Sequence, residues 1–187
     1  MQSFVSIDFE TANENRGSAC SVGLIRYVDG VEQESFTTLL RPIEELNYFS
    51  WRNINVHGIT PDDVVGAPEW SEVDGEIRDL IGDLPIVAHN MAFDGYVLSD
   101  LAGLYGLPTM DNRRFCTLRL ARKVLAEIPQ KRLNAVFGHY FPHETFQHHE
   151  ALADARACGM IFSRMIDDYG VDELERLCPP TGLLKTR

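Results

Sequence analysis

Residues Phe4-Val5-Ser6-Ile7-Asp8-Phe9-Glu10-Thr11 constrain this chain more than any other stretch: an apolar strand that ends in two carboxylates separated by one aromatic residue. Alternation along a strand sends Val5, Ile7 and Phe9 to one face and Ser6, Asp8 and Glu10 to the other, with same-face neighbours roughly 6.7 Å apart. The first face reads as core and the second as a surface that can hold a metal. Two anions at the end of an apolar strand repel each other and lose solvation unless a cation sits between them. The pair therefore reads either as two solvated carboxylates or as part of a metal site.

The elements that follow decide what surrounds this strand. Val22 to Val28 reads as a second strand, Asp29-Gly30 as a two-residue hairpin turn, and Val31 to Leu40 as an antiparallel return. Arg41 to Asn55 shows no clear period. Thr60-Pro61-Asp62-Asp63 starts a short helix, with Thr60 as cap and Pro61 in the first turn. Apolar residues at helical spacing then predict helices over 68–81, 92–105 and 133–140, and a longest helix from His149 to about Tyr169. Pro85 to Ala88 is a short strand, and Phe115 to Ala126 a strand end passing into a helix. Strands first, then helices alternating with short strands, predict an α/β domain with a mixed central sheet flanked by helices. Acids from the first strand, from the helix after the fourth strand and from the long C-terminal helix would meet at one end of that sheet.

With 187 residues, 44% of them hydrophobic, the chain suits one domain, expected over 1–175, with 176–187 as a tail or the start of a linker. Cys20, Cys116, Cys158 and Cys178 form no Cys-x-x-Cys pair and read as small buried hydrophobes rather than zinc ligands or disulfides. No apolar run approaches a membrane span, and Met1-Gln2-Ser3 offers neither a basic leader nor a signal-peptide core, so a soluble, cytoplasmic protein with no membrane partner is expected. The formal charge of −11 opposes long-range attraction of a polyanion, and two divalent ions would bring it only to −7. Distribution matters more. Seven of the seventeen basic residues lie between Arg113 and Arg132, against Glu127 alone, and read either as a solvated face or as a backbone-binding flank.

Three blocks carry chemistry: Asp8-x-Glu10, His89-Asn90-x-x-Phe93-Asp94 and His149-x-x-x-x-Asp154. Together they resemble the DEDDh class of 3′-to-5′ exonucleases, including the epsilon-type exonuclease subunits of bacterial DNA polymerase III. The resemblance spans residues from about 3 to 166 and extends to Val56-His57-Gly58-Ile59-Thr60, to 116–122 and to 147–155. It implies an RNase H-like fold, two divalent ions (Mg²⁺ or Mn²⁺) and release of nucleoside 5′-monophosphates from single-stranded 3′ ends, with DNA favoured and RNA open. It also implies a DNA polymerase or repair assembly as partner, leaving the oligomeric state unspecified. By the same resemblance Asp8 bridges both ions, Glu10 and Asp154 serve the ion holding the attacking water, Asp94 serves the other, and His149 is the general base. Thr11, His57, His89 and Asn90 are candidate substrate contacts, with local turn hydrogen bonds as the equally weighted alternative.

The chemistry supports that assignment independently. Phosphodiester hydrolysis needs an in-line water and a stabilised leaving oxygen, and two ions about 4 Å apart can serve both. Four carboxylates suit Mg²⁺, whose octahedral oxygen shell leaves positions for a substrate phosphate. An imidazole with an ordinary pKa near 6.5 can accept the water's proton at neutral pH. If His149 and Asp154 share one helix, five residues place them about 140° apart around its axis, so they cannot act as an i, i+4 ligand pair. His148 is adjacent and could compete for the role of base, but only His149 matches the spacing of the resemblance, so His148 is expected to be exposed, and His139 and His143 to be surface or packing residues. Two other classes stay open: a phosphodiesterase for small nucleotides or oligonucleotides, and a non-catalytic module that binds nucleic acid or a polymerase.

Overall fold

The computed structural model describes residues 3–181. Met1 and Gln2 of the expected leaderless start, and 182–187 of the expected tail, lie outside the described residues. Five strands form one mixed sheet in the order β3-β2-β1-β4-β5: β1 (Phe4–Thr11), β2 (Ala19–Val28), β3 (Val31–Leu39), β4 (Ile86–Ala88) and β5 (Arg114–Cys116). The first three are antiparallel, whereas β4 runs parallel to both β1 and β5. The hairpin turn between β2 and β3 has Asp29 at φ 51° and Gly30 at φ 81°, the double positive φ that an Asp-Gly turn supplies. Helices α1 (Trp51–His57), α2 (Trp70–Ile81), α3 (Met91–Tyr105), α4 (Thr117–Val124), α5 (Leu133–Tyr140), α6 (Ala151–Tyr169) and α7 (Val171–Leu177) complete the fold. No helix among the described residues is long and apolar enough to cross a membrane.

Strand β1 is central, and its alternation serves two cores. Val5, Ile7 and Phe9 pack with Trp70, Ile77 and Ile81 of α2 and with Val97 and Leu101 of α3. The opposite face is also covered along most of its length: Phe4, Ile25, Val87 and Phe115 pack there with Ile161, Phe162 and Met165 of α6, and Ser6 is fully buried. A strand buried on both faces must carry apolar or satisfied side chains throughout. Only Asp8 and Glu10 of β1 are partly exposed, so the second face opens at the strand's carboxyl end alone.

Two further expectations change. A single 3-10 turn at Glu44–Leu46 and α1 occupy the stretch that showed no period, and Pro61–Val64 is one 3-10 turn closed by a Thr60–Asp63 capping box. Helix α6 begins at Ala151, not at His149, because the Glu150 carboxylate caps it by accepting from the Leu152 and Ala153 N–H groups at 3.3 and 2.9 Å. His149 precedes it with φ 69°, a left-handed backbone that cannot continue a helix. The separation of 140° between His149 and Asp154 therefore does not apply.

All four cysteines are buried and free. The proposed boundary at 175/176 is crossed by α7; Cys178 beyond it packs in the second core, and Thr181 pairs its backbone with Arg114 at 2.9 and 3.0 Å.

Candidate active site

The cleft forms where β1 loses its neighbour. Strand β4 pairs with β1 only at Val5 and Ser6, so beyond Ser6 that edge of β1 is free, at the carboxyl end of three parallel strands where open α/β sheets bind ligands. Asp94, in the first turn of α3, takes over there: its Oδ1 accepts the Phe9 N–H at 3.2 Å while the residue is 1% exposed. From the other side, α6 descends onto β2 at Gly23, the residue paired with Asp8. A Cβ on Gly23 would lie 2.4 Å from the Ala151 carbonyl carbon and the Leu152 nitrogen, so the absence of a side chain lets the amino end of α6 reach the acids.

Asp8, Glu10 and Asp154 each offer an oxygen, and these atoms lie within 4.8 Å of one another. Asp94 lies outside that trio but lines the same cleft of about 610 Å³. Burial pushes the Asp8 carboxyl well above the usual range, and the charges of Asp94, Asp154, Glu10 and Glu150 push it further. Glu10 is pushed up to about 8 by burial and then by Asp154 and Asp94. Burial also lifts Asp94 to about 8, against the N–H groups that favour its anion. Asp154 is raised by burial despite its neighbouring histidines. A cluster with this electrostatics retains protons or takes cations, and its all-oxygen donor set fits a hard divalent ion.

His148 is not a bystander. It is half-buried, and its Nδ1 lies 2.9 Å from both carboxylate oxygens of Asp154. His149 touches the same acid by its backbone N–H, 3.1 Å from Oδ2, while its ring stacks on His148 with centroids 3.8 Å apart. Burial, and then His148, lower the His149 pKa below its ordinary value, so the ring is neutral near pH 7. It also borders a second polar groove of about 300 Å³ that includes Ser21, Thr37, Thr38 and His57. His139 and His143 are exposed, as expected.

The four candidate substrate contacts divide. Thr11 is buried, and Asn53 of α1 donates to its carbonyl at 2.7 Å and its hydroxyl at 3.3 Å. His57 Nδ1 accepts the Ile59 N–H at 3.0 Å, which makes Nε2 the donor to the Thr11 carbonyl at 3.1 Å. His89 lines the cleft, but its Nε2 donates to the Lys131 carbonyl at 2.9 Å and its Nδ1 accepts from the Thr117 hydroxyl at 2.8 Å. Both rings are held neutral by burial, His89 down to about 4. Asn90, at φ 87°, is exposed on the cleft wall.

His148, expected to be exposed, and Arg122, Lys131 and Arg132, seen in the sequence only as part of a basic segment, all line the cleft. The cluster of basic residues over 113–132 was their signal, but that cluster splits: Arg114 is buried and donates to the Gly95 and Met110 carbonyls, and Arg113 pairs with Glu175.

The profile of the family described as Exonuclease (RNase T) matches residues 5–162. The chain is 29% identical over 177 residues to the DNA polymerase III subunit epsilon of Aquifex aeolicus, covering 91% of this chain and 85% of that one. It is 31% identical over 166 residues to the PolC-type DNA polymerase III of Staphylococcus aureus, covering 87% of this chain and only 11% of that polymerase. Among solved structures it is similar to exonuclease X in complex with 5′ overhanging duplex DNA, with a TM-score of 0.75, 23% identity and coverage of 93% and 98%. The nuclease domain of 3′hExo, a DEDDh family member bound to rAMP, superimposes with a TM-score of 0.74 at 18% identity, covering 99% and 98%. These likenesses carry the fold expected from the sequence, a mixed sheet between helices of the RNase H-like type.

Proposed function

The chain belongs to the exonuclease (RNase T) family of 3′-to-5′ exonucleases, and we propose that it removes nucleoside 5′-monophosphates from the 3′ ends of single-stranded nucleic acid, with DNA favoured over RNA. The observation that carries this reading is the convergence of Asp8, Glu10 and Asp154 oxygens within 4.8 Å, in a cleft shared with Asp94. The DNA preference rests on likeness to polymerase III epsilon and PolC-type chains. A DNA polymerase or repair assembly is the corresponding proposed partner.

Asp8, Glu10 and Asp154 would hold one divalent ion, and Asp8 with Asp94 a second. Such a pair, when bound, supplies charge neutralisation for the attacking and leaving oxygens of an in-line displacement. His149 is the proposed base. Neither of its ring nitrogens is hydrogen-bonded among the described residues, so a neutral ring can take a proton from the attacking water. The water oxygen bonds to phosphorus, the P–O3′ bond breaks, and the leaving O3′ takes a proton from solvent, so the shortened strand leaves with a 3′ hydroxyl. His148 positions Asp154.

Digestion of matched 5′-labelled single-stranded DNA and RNA with Mg²⁺ or Mn²⁺ tests this reading. The expected result is a ladder shortening from the 3′ end, abolished by chelator and reduced at least a thousandfold in Asp154→Asn. Intact polymers with folded, metal-loaded protein would overturn it.

A further inference from the structure

The acid floor of the cleft faces a wall of opposite sign. Arg122 at the end of α4, and Lys131 and Arg132 just before α5, line the same cleft as Asp8 and Asp154. Arg122 and Arg132 are exposed, and neither enters an ion pair among the described residues. In a chain of formal charge −11, two arginines left without a carboxylate partner beside an acidic cluster are not there to neutralise their neighbours. Arg122 also lies close enough to His89 to depress that ring's protonation.

The wall is built rather than loose. The Lys131 carbonyl accepts from His89 Nε2 at 2.9 Å, and His89 Nδ1 accepts from the Thr117 hydroxyl at 2.8 Å. The Thr117 oxygen in turn stands 3.6 Å from the Cys158 thiol of α6, so the segment before α5 is tied through buried groups to the helix that carries Asp154. The Lys131 ammonium folds back onto the Ile128 carbonyl, bracing the turn and leaving Arg132 as its exposed charge. Guanidinium groups bind phosphate oxygens bidentately, and contacts to phosphate carry no base information.

We propose that Arg122 and Arg132 form a phosphate-binding wall that grips the backbone of the nucleic-acid strand upstream of the scissile bond. The proposal rests on the exonuclease reading above. It implies that short-range contacts in the cleft, not the field of the whole molecule, hold the polymer.

The test compares the wild type with the Arg122→Gln/Arg132→Gln double variant on two substrates: a single-stranded 15-mer, and the p-nitrophenyl ester of thymidine 5′-monophosphate, which has no upstream phosphate. On the 15-mer, KM is expected to rise tenfold or more, and the slope of log(kcat/KM) against log[salt] to become shallower by roughly 1.4, near 0.7 per lost phosphate contact on a single strand. The loss on the ester is expected to be several-fold smaller. Arg164→Gln/Arg176→Gln, which removes an equal charge from the Arg164–Asp168 and Arg176–Glu173 pairs, controls for net charge and is expected to leave the slope unchanged. Wild-type cleavage of the 15-mer with an unaltered slope in the double variant overturns the wall alone. Wild-type failure on both substrates overturns the exonuclease reading and the wall with it.

Discussion

His149 keeps a left-handed backbone at φ 69°, and its N–H repays that strain by donating to the Asp154 carboxylate. Position and chemistry can therefore be separated by substitution. Asn tolerates positive φ, so His149→Asn retains the turn while removing the base. We expect kcat to fall by about 10²–10⁴-fold, with Mn²⁺ affinity by calorimetry changed little. In the wild type, rate should rise with pH through a value below the ordinary histidine pKa, since burial disfavours the charged ring, and that limb should vanish in the variant. If His148→Asn removed the limb and His149→Asn did not, the base would be His148, whose ring stacks on its neighbour and already touches Asp154.

At the scale of elements, the approach of α6 to β2 sets the site. Gly23→Ala would place a methyl group 2.4 Å from backbone atoms of Ala151 and Leu152, which cannot move aside like a flexible side chain. We expect a stability loss of about 1–3 kcal/mol by denaturant titration, typical of overpacking, and a fall in kcat beyond what the unfolded fraction explains. Full activity per folded molecule would show that Asp154 does not depend on this contact. The same contact marks the limit of what was legible in the sequence. Periodicity located α2, α3, α5 and most of α6, because each buries an apolar stripe, and the Asp-Gly dipeptide located the hairpin. It could not reveal α1, whose seven residues bury nothing: that helix is held by the Ser50 cap, by Gly58 at φ 77° and by Asn53 bonding back to Thr11. Nor could it show that the helix stops short of His149, since a polar cap at Glu150 and a left-handed turn leave no period. The acids were legible because they fall in three motif blocks. Arg122 and Arg132 were visible only as charges, since their meeting with the acids depends on how α4 and α5 pack.

Across the whole molecule, the acid cluster sets a cost that only cations or protons can relieve. Glu10 and Asp94 carry pKa values near 8 in the folded, metal-free chain, against ordinary carboxylate values near 4 when unfolded. Between those limits the folded state binds more protons, so the stability these protons contribute is lost as pH rises through 8. His89 acts in the opposite sense, because its folded pKa is near 4 and its unfolded value near 6.5, but that contribution is largely complete above pH 6.5. The buried thiols of Cys20 and Cys158, also raised on folding, add to the acid trend only as pH nears the unfolded-thiol value. The window from pH 6.5 to 8 therefore isolates the carboxylates. In chelator, the melting temperature is expected to fall by several degrees across that window. With saturating Mg²⁺ or Mn²⁺ the curve should be flat and lie higher, because metal binds the deprotonated folded cluster and releases its protons. Glu10→Gln should raise the metal-free melting temperature and shrink the slope, trading activity for stability. A metal-free curve that is flat or rises from pH 6.5 to 8 would mean that the carboxylates are already relieved within the fold, and that the cluster is not held in readiness for cations.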